Sequence, residues 1–253
     1  MKSSMASPLI KRIAILWILL IPATNTHSFE EDVAMFVMEQ VPYGFQTEDG
    51  KNSGVLLNIL QQIRLDSGIG LTVKTLPLKR LLATLLRDKK TCTLVADSPV
   101  IVDNLDLLEP IGFTLTAGIL PVAGVKLKDY TSLKGKLIAV ALGIQFDEKF
   151  DSDSSLNKVS TAQYIDAINL MKANRVDAVA GAISVLKYIA LQGGLTAQFF
   201  DQPLVLIKRE MYLVCSFKLT KNERRELQQA VIKLRMSGRT QQIIDAYFGQ
   251  SNQ

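Results

Sequence analysis

Apolar residues recur along the chain in two patterns, an alternation typical of β-strands and a three-to-four spacing typical of α-helices. The strand-like runs cover 32–41, 71–76, 92–96, 115–122, 137–141, 176–180, 204–207 and 212–217. The helix-like runs cover 55–63, 78–86, 161–174, 183–191, 220–237 and 240–248. A polar stretch at 147–157 has no periodicity and is expected to be a loop. Strands that alternate with helices in this way predict an α/β fold with parallel sheets flanked by helices.

Turn and capping signals support these boundaries. The residues from Pro42 to Phe45 end the first strand, and those from Glu48 to Lys51 form a hairpin tip. Thr220 and Glu223 have the spacing of a capping box, which predicts that a helix begins there. Gly238 separates that helix from the last one.

The first 28 residues have the pattern of a secretory signal peptide. Lys2, Lys11 and Arg12 precede an apolar run at 13–21, which Pro22 closes. That run is too short to cross a bilayer, which needs about 20 residues. An uncleaved membrane anchor is the alternative interpretation. We therefore expect the mature protein in the periplasm.

Cleavage after Ser28 is the predicted end of the signal peptide, and it changes the chemistry that the chain offers. The chain has 29 Lys+Arg, 24 Asp+Glu, a formal net charge of +5 and a single histidine, His27. Removing three basic residues leaves 26 against 24 acidic ones, a net charge of +2. Catalysis with a histidine base is then excluded, and nucleic-acid binding loses its electrostatic basis. The scattered basic runs are expected to be solvated helix faces.

Cys92 and Cys215 are the only cysteines. Two cysteines and one histidine exclude a disulfide-dense scaffold and a four-cysteine zinc site, so no metal or cofactor is expected. In an oxidising compartment the two cysteines could form one disulfide. A buried free thiol is the alternative, because Cys92 lies in an apolar strand. No cysteine precedes Cys92, which excludes a lipid-modified N-terminal cysteine.

Several segments together resemble periplasmic solute-binding proteins of the amino-acid ABC-transport type (extracellular solute-binding protein family 3). The run VPYGFQTEDGKNSG at 41–54 resembles the family's opening, with its aromatic-proline turn and acidic-glycine hairpin. The resemblance continues through 76–82, 133–143 and 174–179, and the helix at 238–249 looks like the family's ending. These segments occur in the family's order over nearly the whole mature chain.

The resemblance implies a type II periplasmic-binding fold, in which two α/β lobes, each a mixed sheet flanked by helices, are joined by two hinge strands. By similarity, lobe 1 comprises 29–114 plus 212–253 and lobe 2 comprises 115–211. The family implies a small-molecule ligand in the interlobe cleft, an ABC permease or a membrane sensor as partner, and a monomer. Closure about the hinge is the expected motion.

The family's anchors for a free amino acid are missing from the corresponding positions. Amino-acid-binding members hold the α-carboxylate with an arginine, which can bind it in a bidentate manner, but no arginine lies between Arg87 and Arg175. The hydroxyl residue that usually follows the lobe-2 glycine is replaced in the sequence Gly143-Ile144-Gln145. The family's amino-group aspartate falls near Ala182. A ligand other than a standard α-amino acid is therefore expected.

Seven residues are candidates for ligand binding. Aromatic side chains could stack on the ligand, an arginine could meet an anionic group, and aspartates could meet a cationic one, while two further residues are candidates by position alone. The candidates are, in that order, Tyr43 and Phe45, Arg80, Asp97 and Asp103, and Ser98 and Gln145. The alternative is that the aromatic residues fill the core, that Arg80 lies on a solvated helix face and that Asp103 belongs to a polar loop.

Three functions are compatible with these features. The first is capture of a small polar solute for import or sensing, with no catalysis. The second is an enzyme on the same fold, since some relatives are dehydratases, but no carboxylate pair has a diagnostic spacing. The third is a degenerate member that acts through a protein partner.

Overall fold

A computed structural model describes residues 32–87 and 89–249; the predicted signal peptide lies outside them. The strands are β1 Val33–Met38, β2 Phe45–Gln46, β3 Asn52–Ser53, β4 Leu71–Leu76, β5 Thr91–Ala96, β6 Asp106–Pro121, β7 Leu137–Ala141, β8 Asn157–Thr161, β9 Ala178–Ala182 and β10 Leu204–Cys215. The helices are α1 Val55–Ser67, α2 Leu78–Leu85, α3 Pro99–Asn104, α4 Glu148–Ser152, α5 Tyr164–Lys172, α6 Ile183–Gln192, α7 Lys221–Met236 and α8 Arg239–Phe248. Among the described helices, none is both long and apolar enough to cross a membrane.

Eight strands form one mixed sheet in the order β4-β1-β5-β10-β6-β9-β7-β8, and β2 pairs with β3 in a separate hairpin. The pairs β4-β1-β5 and β9-β7-β8 are parallel. The three central pairings, β5-β10, β10-β6 and β6-β9, are antiparallel. The parallel pairing that the periodicity predicts is present at each end of the sheet, and the antiparallel centre makes the whole sheet mixed, as the resemblance implied.

The two central strands are the long ones, with 16 residues in β6 and 12 in β10. The sequence pattern predicts two separate strands at 204–207 and 212–217, but the structure has one continuous strand. Lys208, Arg209 and Glu210 interrupt the apolar pattern, yet their backbone groups stay paired with β6. Three consecutive charged residues therefore concealed the middle of β10 from an analysis of hydrophobic periodicity.

Local signals account for most helix ends. The Thr220 hydroxyl accepts a hydrogen bond from the Glu223 amide, and the Glu223 carboxylate accepts one from the Thr220 amide, so the predicted capping box is present. Gly68 ends α1 in the left-handed conformation that favours glycine. The expected loop at 147–157 instead contains α4. This helix has only five residues, too few for apolar residues to recur at helical spacing.

The two faces of the sheet are packed differently. On one face, which we call the packed face, α1, α5, α6, α7 and α8 cover a single apolar cluster that runs from one end of the sheet to the other. The opposite face has two separate clusters and is called the divided face. One cluster lies beneath α2 and α3, and the other includes Phe150 of α4.

Cys92 and Cys215 are directly opposite each other on β5 and β10, and their sulfur atoms are bonded at 2.02 Å. Neither residue has exposed surface. The bond joins residues separated by 123 positions and so restricts the unfolded chain over a long loop. The disulfide joins β5 to β10, which follows the strands at the other end of the sheet in the sequence.

Candidate functional site

The carboxyl ends of the strands from the two ends of the sheet face each other across the middle of β6 and β10. Ala96, the last residue of β5, is opposite Met211 of β10. Ala182, the last residue of β9, is opposite Ala117 of β6. β5 runs in the same direction as β6, and β9 runs in the opposite direction. The carboxyl ends of β5 and β9 therefore both point to the segment of β6 and β10 that lies between Met211 and Ala117. Ligands of open α/β sheets bind beside strand carboxyl ends, so this segment marks a candidate interlobe cleft.

On the divided face, four polar side chains lie on the part of β6 and β10 that crosses this cleft. Thr114 is opposite Glu210, and Thr116 is opposite Lys208. Directly opposed residues share a face, as do alternate residues of one strand, so all four lie on the same side. Thr114, Lys208 and Glu210 are exposed, and Thr116 is half-buried. We call these four residues the hinge floor.

Asp97 and Ser98 lie at the edge of the cleft, directly after β5. The Asp97 amide donates to the Glu210 carbonyl at 3.3 Å, and its carbonyl accepts from Arg209 Nη1 at 3.1 Å. Its Oδ1 atom is buried and has no hydrogen-bond partner within the described part of the chain. Ser98 caps α3, because its hydroxyl accepts from the Ile101 amide at 3.4 Å. The backbone of Asp97 is therefore fixed to β10, while one buried carboxylate oxygen has no partner in the described part of the chain.

Arg80 and Asp103 are both exposed. Arg80 lies in the first turn of α2, which follows the carboxyl end of β4. Asp103 lies in the last turn of α3, away from the end of that helix that Ser98 caps. The structure therefore brings Arg80 to the same edge of the sheet as Asp97, and it places Asp103 farther along α3.

Gln145 follows β7 in a loop that borders a cavity of about 180 Å³. Gly143, Phe150, Lys158 and Ser160 also line this cavity. Lys158 Nζ donates to the Phe150 carbonyl at 2.7 Å, which holds it against α4. The cavity opens on the divided face, and Gln145 lies beside the carboxyl end of β7.

Tyr43 lies in the core of the packed face and is 3% exposed. Its ring contacts Phe113 edge-on, with 6.3 Å between the centroids. Burial, and next the proximity of Tyr164, raise the pKa of the Tyr43 phenol. Its hydroxyl has no hydrogen-bond partner in the described part of the chain. Stacking of Tyr43 on a ligand stays a prediction, and it would require the contact with Phe113 to open.

An aromatic chain continues from Phe113 across the packed face. Phe113 contacts Phe248 of α8 at 6.0 Å, and Phe248 contacts Tyr188 of α6 at 6.2 Å. Burial raises the pKa of Tyr164 to about 12, and its hydroxyl is 3.3 Å from the Ala182 amide. These rings fill the packed face behind the hinge. Phe45, in contrast, is half-buried in β2 of the separate hairpin.

The hinge floor was not found from the sequence. The signal that could have revealed it is the short charged run from Lys208 to Glu210, which lies between two apolar segments. In an extended strand, Lys208 and Glu210 would lie on one side and Arg209 on the other. This arrangement could be recognised only by extending the two short predicted strands toward each other.

No protein-family profile matches the chain, and no curated protein matches it. Solved structures do match it. A mutant of ArgBP from T. maritima is 18% identical, with a TM-score of 0.68 over 86% of this chain and 95% of that one. A solute receptor for L-cysteine of Neisseria gonorrhoeae is 16% identical, with a TM-score of 0.66 over 85% and 89%.

A histidine kinase sensor domain described as similar to periplasmic binding proteins also matches. It is 15% identical, with a TM-score of 0.69 over 87% of this chain and 96% of that one. At these identities the likeness concerns the fold. The chain has the α/β fold of two-lobed type II periplasmic binding proteins, as the resemblance of its segments implied.

Proposed function

We propose that this protein is a periplasmic solute-binding protein that captures a small polar solute between two lobes for import or sensing. The observation that carries the proposal is the opposition of two sets of strand carboxyl ends across two continuous hinge strands. Such an arrangement lets each lobe contribute contacts and lets closure exclude water from the ligand.

In this proposal, lobe 1 comprises 29–114 plus 212–253, and lobe 2 comprises 115–211, so that each boundary falls inside a hinge strand. Asp97, Ser98 and Arg80 are the proposed contacts from lobe 1, and Gln145 is the proposed contact from lobe 2. No catalytic step is assigned to these residues. The partner is an ABC permease or a membrane sensor, and the protein reaches the periplasm through a cleavable signal peptide.

The ligand is proposed to be something other than a standard α-amino acid. The distribution of arginine supports this, because no arginine lies anywhere from α3 to the end of α5. A carboxylate placed there would lack the bidentate partner that arginine provides. Arginine, lysine, glutamine and glutamate are each expected to leave the melting temperature unchanged at micromolar concentration.

The test is a thermal-shift screen of the purified protein against amino acids, polyamines, organic acids and short peptides. One solute class should raise the melting temperature, be recovered unchanged by mass spectrometry and reduce the radius of gyration in solution scattering. The variant Thr116→Trp places a large ring in the hinge floor and should abolish the shift. Thr72→Trp, at an exposed position of the edge strand β4, is the matched control and should preserve it.

Chemical conversion of the solute would instead identify an enzyme. A protein that no solute class stabilises would contradict solute capture and favour action through a protein partner. Binding that survives Thr116→Trp would place the site outside the cleft.

A further inference from the structure

The hinge floor contains one positive and one negative side chain, both exposed and both on the same side of β10. Lys208 and Glu210 are alternate residues of one strand, so their Cα atoms are about 6.6 Å apart. The residue between them, Arg209, lies on the opposite side and donates to the Asp97 carbonyl at 3.1 Å. β10 therefore presents two side chains of opposite charge to the cleft. The third charged side chain, Arg209, holds the backbone of Asp97 in lobe 1.

Three lysines elsewhere in the protein, in contrast, are held in ion pairs with carboxylates. Lys90 pairs with Glu223 at 2.8 Å, Lys126 pairs with Asp201 at 2.6 Å, and Lys233 lies 2.5 Å from an aspartate of α1. Within the described part of the chain, neither charge of the hinge floor takes part in an ion pair or a side-chain hydrogen bond.

The neighbouring groups add hydrogen-bonding capacity of both kinds. Thr114 and Thr116 each provide a hydroxyl that can donate or accept, and each lies directly across from one of the charges. The unpartnered Asp97 Oδ1 belongs to the residue whose amide bonds to the Glu210 carbonyl. Negative charge is therefore concentrated on the lobe-1 side of the floor, and the positive charge of Lys208 lies toward lobe 2.

We propose that the hinge floor binds a dipolar solute whose anionic group contacts Lys208 and whose cationic group contacts Glu210. With Cα atoms about 6.6 Å apart, the two side chains can contact, without converging, a solute in which several bonds separate the charges, such as an ω-amino acid or a dipeptide. An α-amino acid has its charged groups close together, so both side chains would have to converge to contact it. Closure of the lobes lowers the local dielectric, which strengthens both contacts. This inference rests on the proposed solute-binding function.

The experiment measures binding of γ-aminobutyrate, 5-aminopentanoate and glycylglycine by calorimetry, with butyrate and butylamine as probes that carry one charge. At least one dipolar probe should bind, and each singly charged probe should bind at least about tenfold more weakly, because a hydrogen bond to a charged group is lost. Lys208→Gln and Glu210→Gln should each weaken the dipolar probe by about tenfold or more.

Matched controls are Lys74→Gln on the edge strand β4 and Glu48→Gln in the hairpin loop, both at exposed positions. Neither should change the affinity by more than about twofold. If a solute binds and Thr116→Trp abolishes that binding, but Lys208→Gln and Glu210→Gln have no effect, the inference is overturned and the proposed function stands. The inference is also overturned if singly charged solutes bind and all dipolar probes fail. If no solute binds at all, both the function and the inference fail.

Discussion

The two sides of the hinge have opposite physical characters although the same two strands form both. On the packed face, Phe113 is 7% exposed and contacts rings from the turn after β1 and from α8. On the divided face, the next residue, Thr114, is exposed beside Glu210. One side is an apolar contact that joins the two ends of the sheet, and the other is a polar surface between two separate cores.

This difference separates the residues that hold the protein together from those that are free to bind. Removing a buried ring leaves a cavity, because close-packed neighbours cannot fully relax. Removing an exposed polar side chain leaves only water in its place. Mutations on the packed face should therefore change stability, and mutations of the hinge floor should change binding.

The largest effect is expected for Phe113→Ala. Truncating this buried ring should lower the free energy of unfolding by about 3–5 kcal/mol. The adjacent substitution Thr114→Ala should lower it by less than about 1 kcal/mol. Urea titrations followed by circular dichroism measure both. Equal losses of unfolding free energy for the two variants would show that the packed face is no more important for stability than the hinge floor.

A smaller loss of stability is expected when the ion pair between Lys90 and Glu223 of α7 is removed. The Glu223 carboxylate accepts hydrogen bonds from Lys90 at 2.8 Å and from the Thr220 amide at 2.7 Å. Burial alone would raise the pKa of Glu223, but these hydrogen bonds outweigh it and hold that pKa below its ordinary value of 4.5. Glu223→Gln should therefore cost about 1–2 kcal/mol near neutral pH.

The effect of Glu223 should depend on pH in a defined direction. A carboxylate whose pKa is lower in the folded state stabilises the fold fully above its unfolded pKa. That contribution is lost as the pH falls below 4.5 and through the lower folded pKa. The difference between the wild type and Glu223→Gln should thus shrink toward pH 3. Glu210→Gln, at an exposed position of the hinge floor, should change stability by less than about 0.5 kcal/mol at either pH.

The smallest effect, and one of opposite sign, is expected for Tyr43→Phe. The Tyr43 hydroxyl is buried and has no hydrogen-bond partner in the described part of the chain, so it loses its hydration without compensation. Removing it while retaining the ring should raise the free energy of unfolding by up to about 1 kcal/mol. A loss of more than about 1 kcal/mol in chemical denaturation would indicate that this hydroxyl makes a contact in solution.

Much of the fold could be predicted because periodicity and capping are local properties. The helix that begins after Thr220 could be predicted from the four residues of a capping box and from an apolar stripe. The short helices α3 and α4 were missed because six and five residues are too few to establish a period. β8 was missed as well, since its half-exposed pattern at the edge of the sheet lacks a buried apolar run.

The candidate site was predicted less completely than the fold. Asp97 and Ser98 directly follow β5, whose end is visible in the sequence, and their contact with a ligand stays a prediction. The aromatic side chain of Tyr43 suggested a ligand contact, but a ring that packs in a core has the same sequence signature as one that binds a ligand. Only the contact with Phe113 reveals where this ring lies.

The sequence by itself determined the α/β class, most element boundaries and the absence of arginine from Asp88 to Asn174. All of these depend on the identity and order of nearby residues. Tertiary structure alone decided that β10 is continuous, that Cys92 meets Cys215, and that Lys208 and Glu210 share a face with Thr116 and Thr114. The reason is that strand pairing joins residues about a hundred positions apart, and the register between them sets which side chains meet.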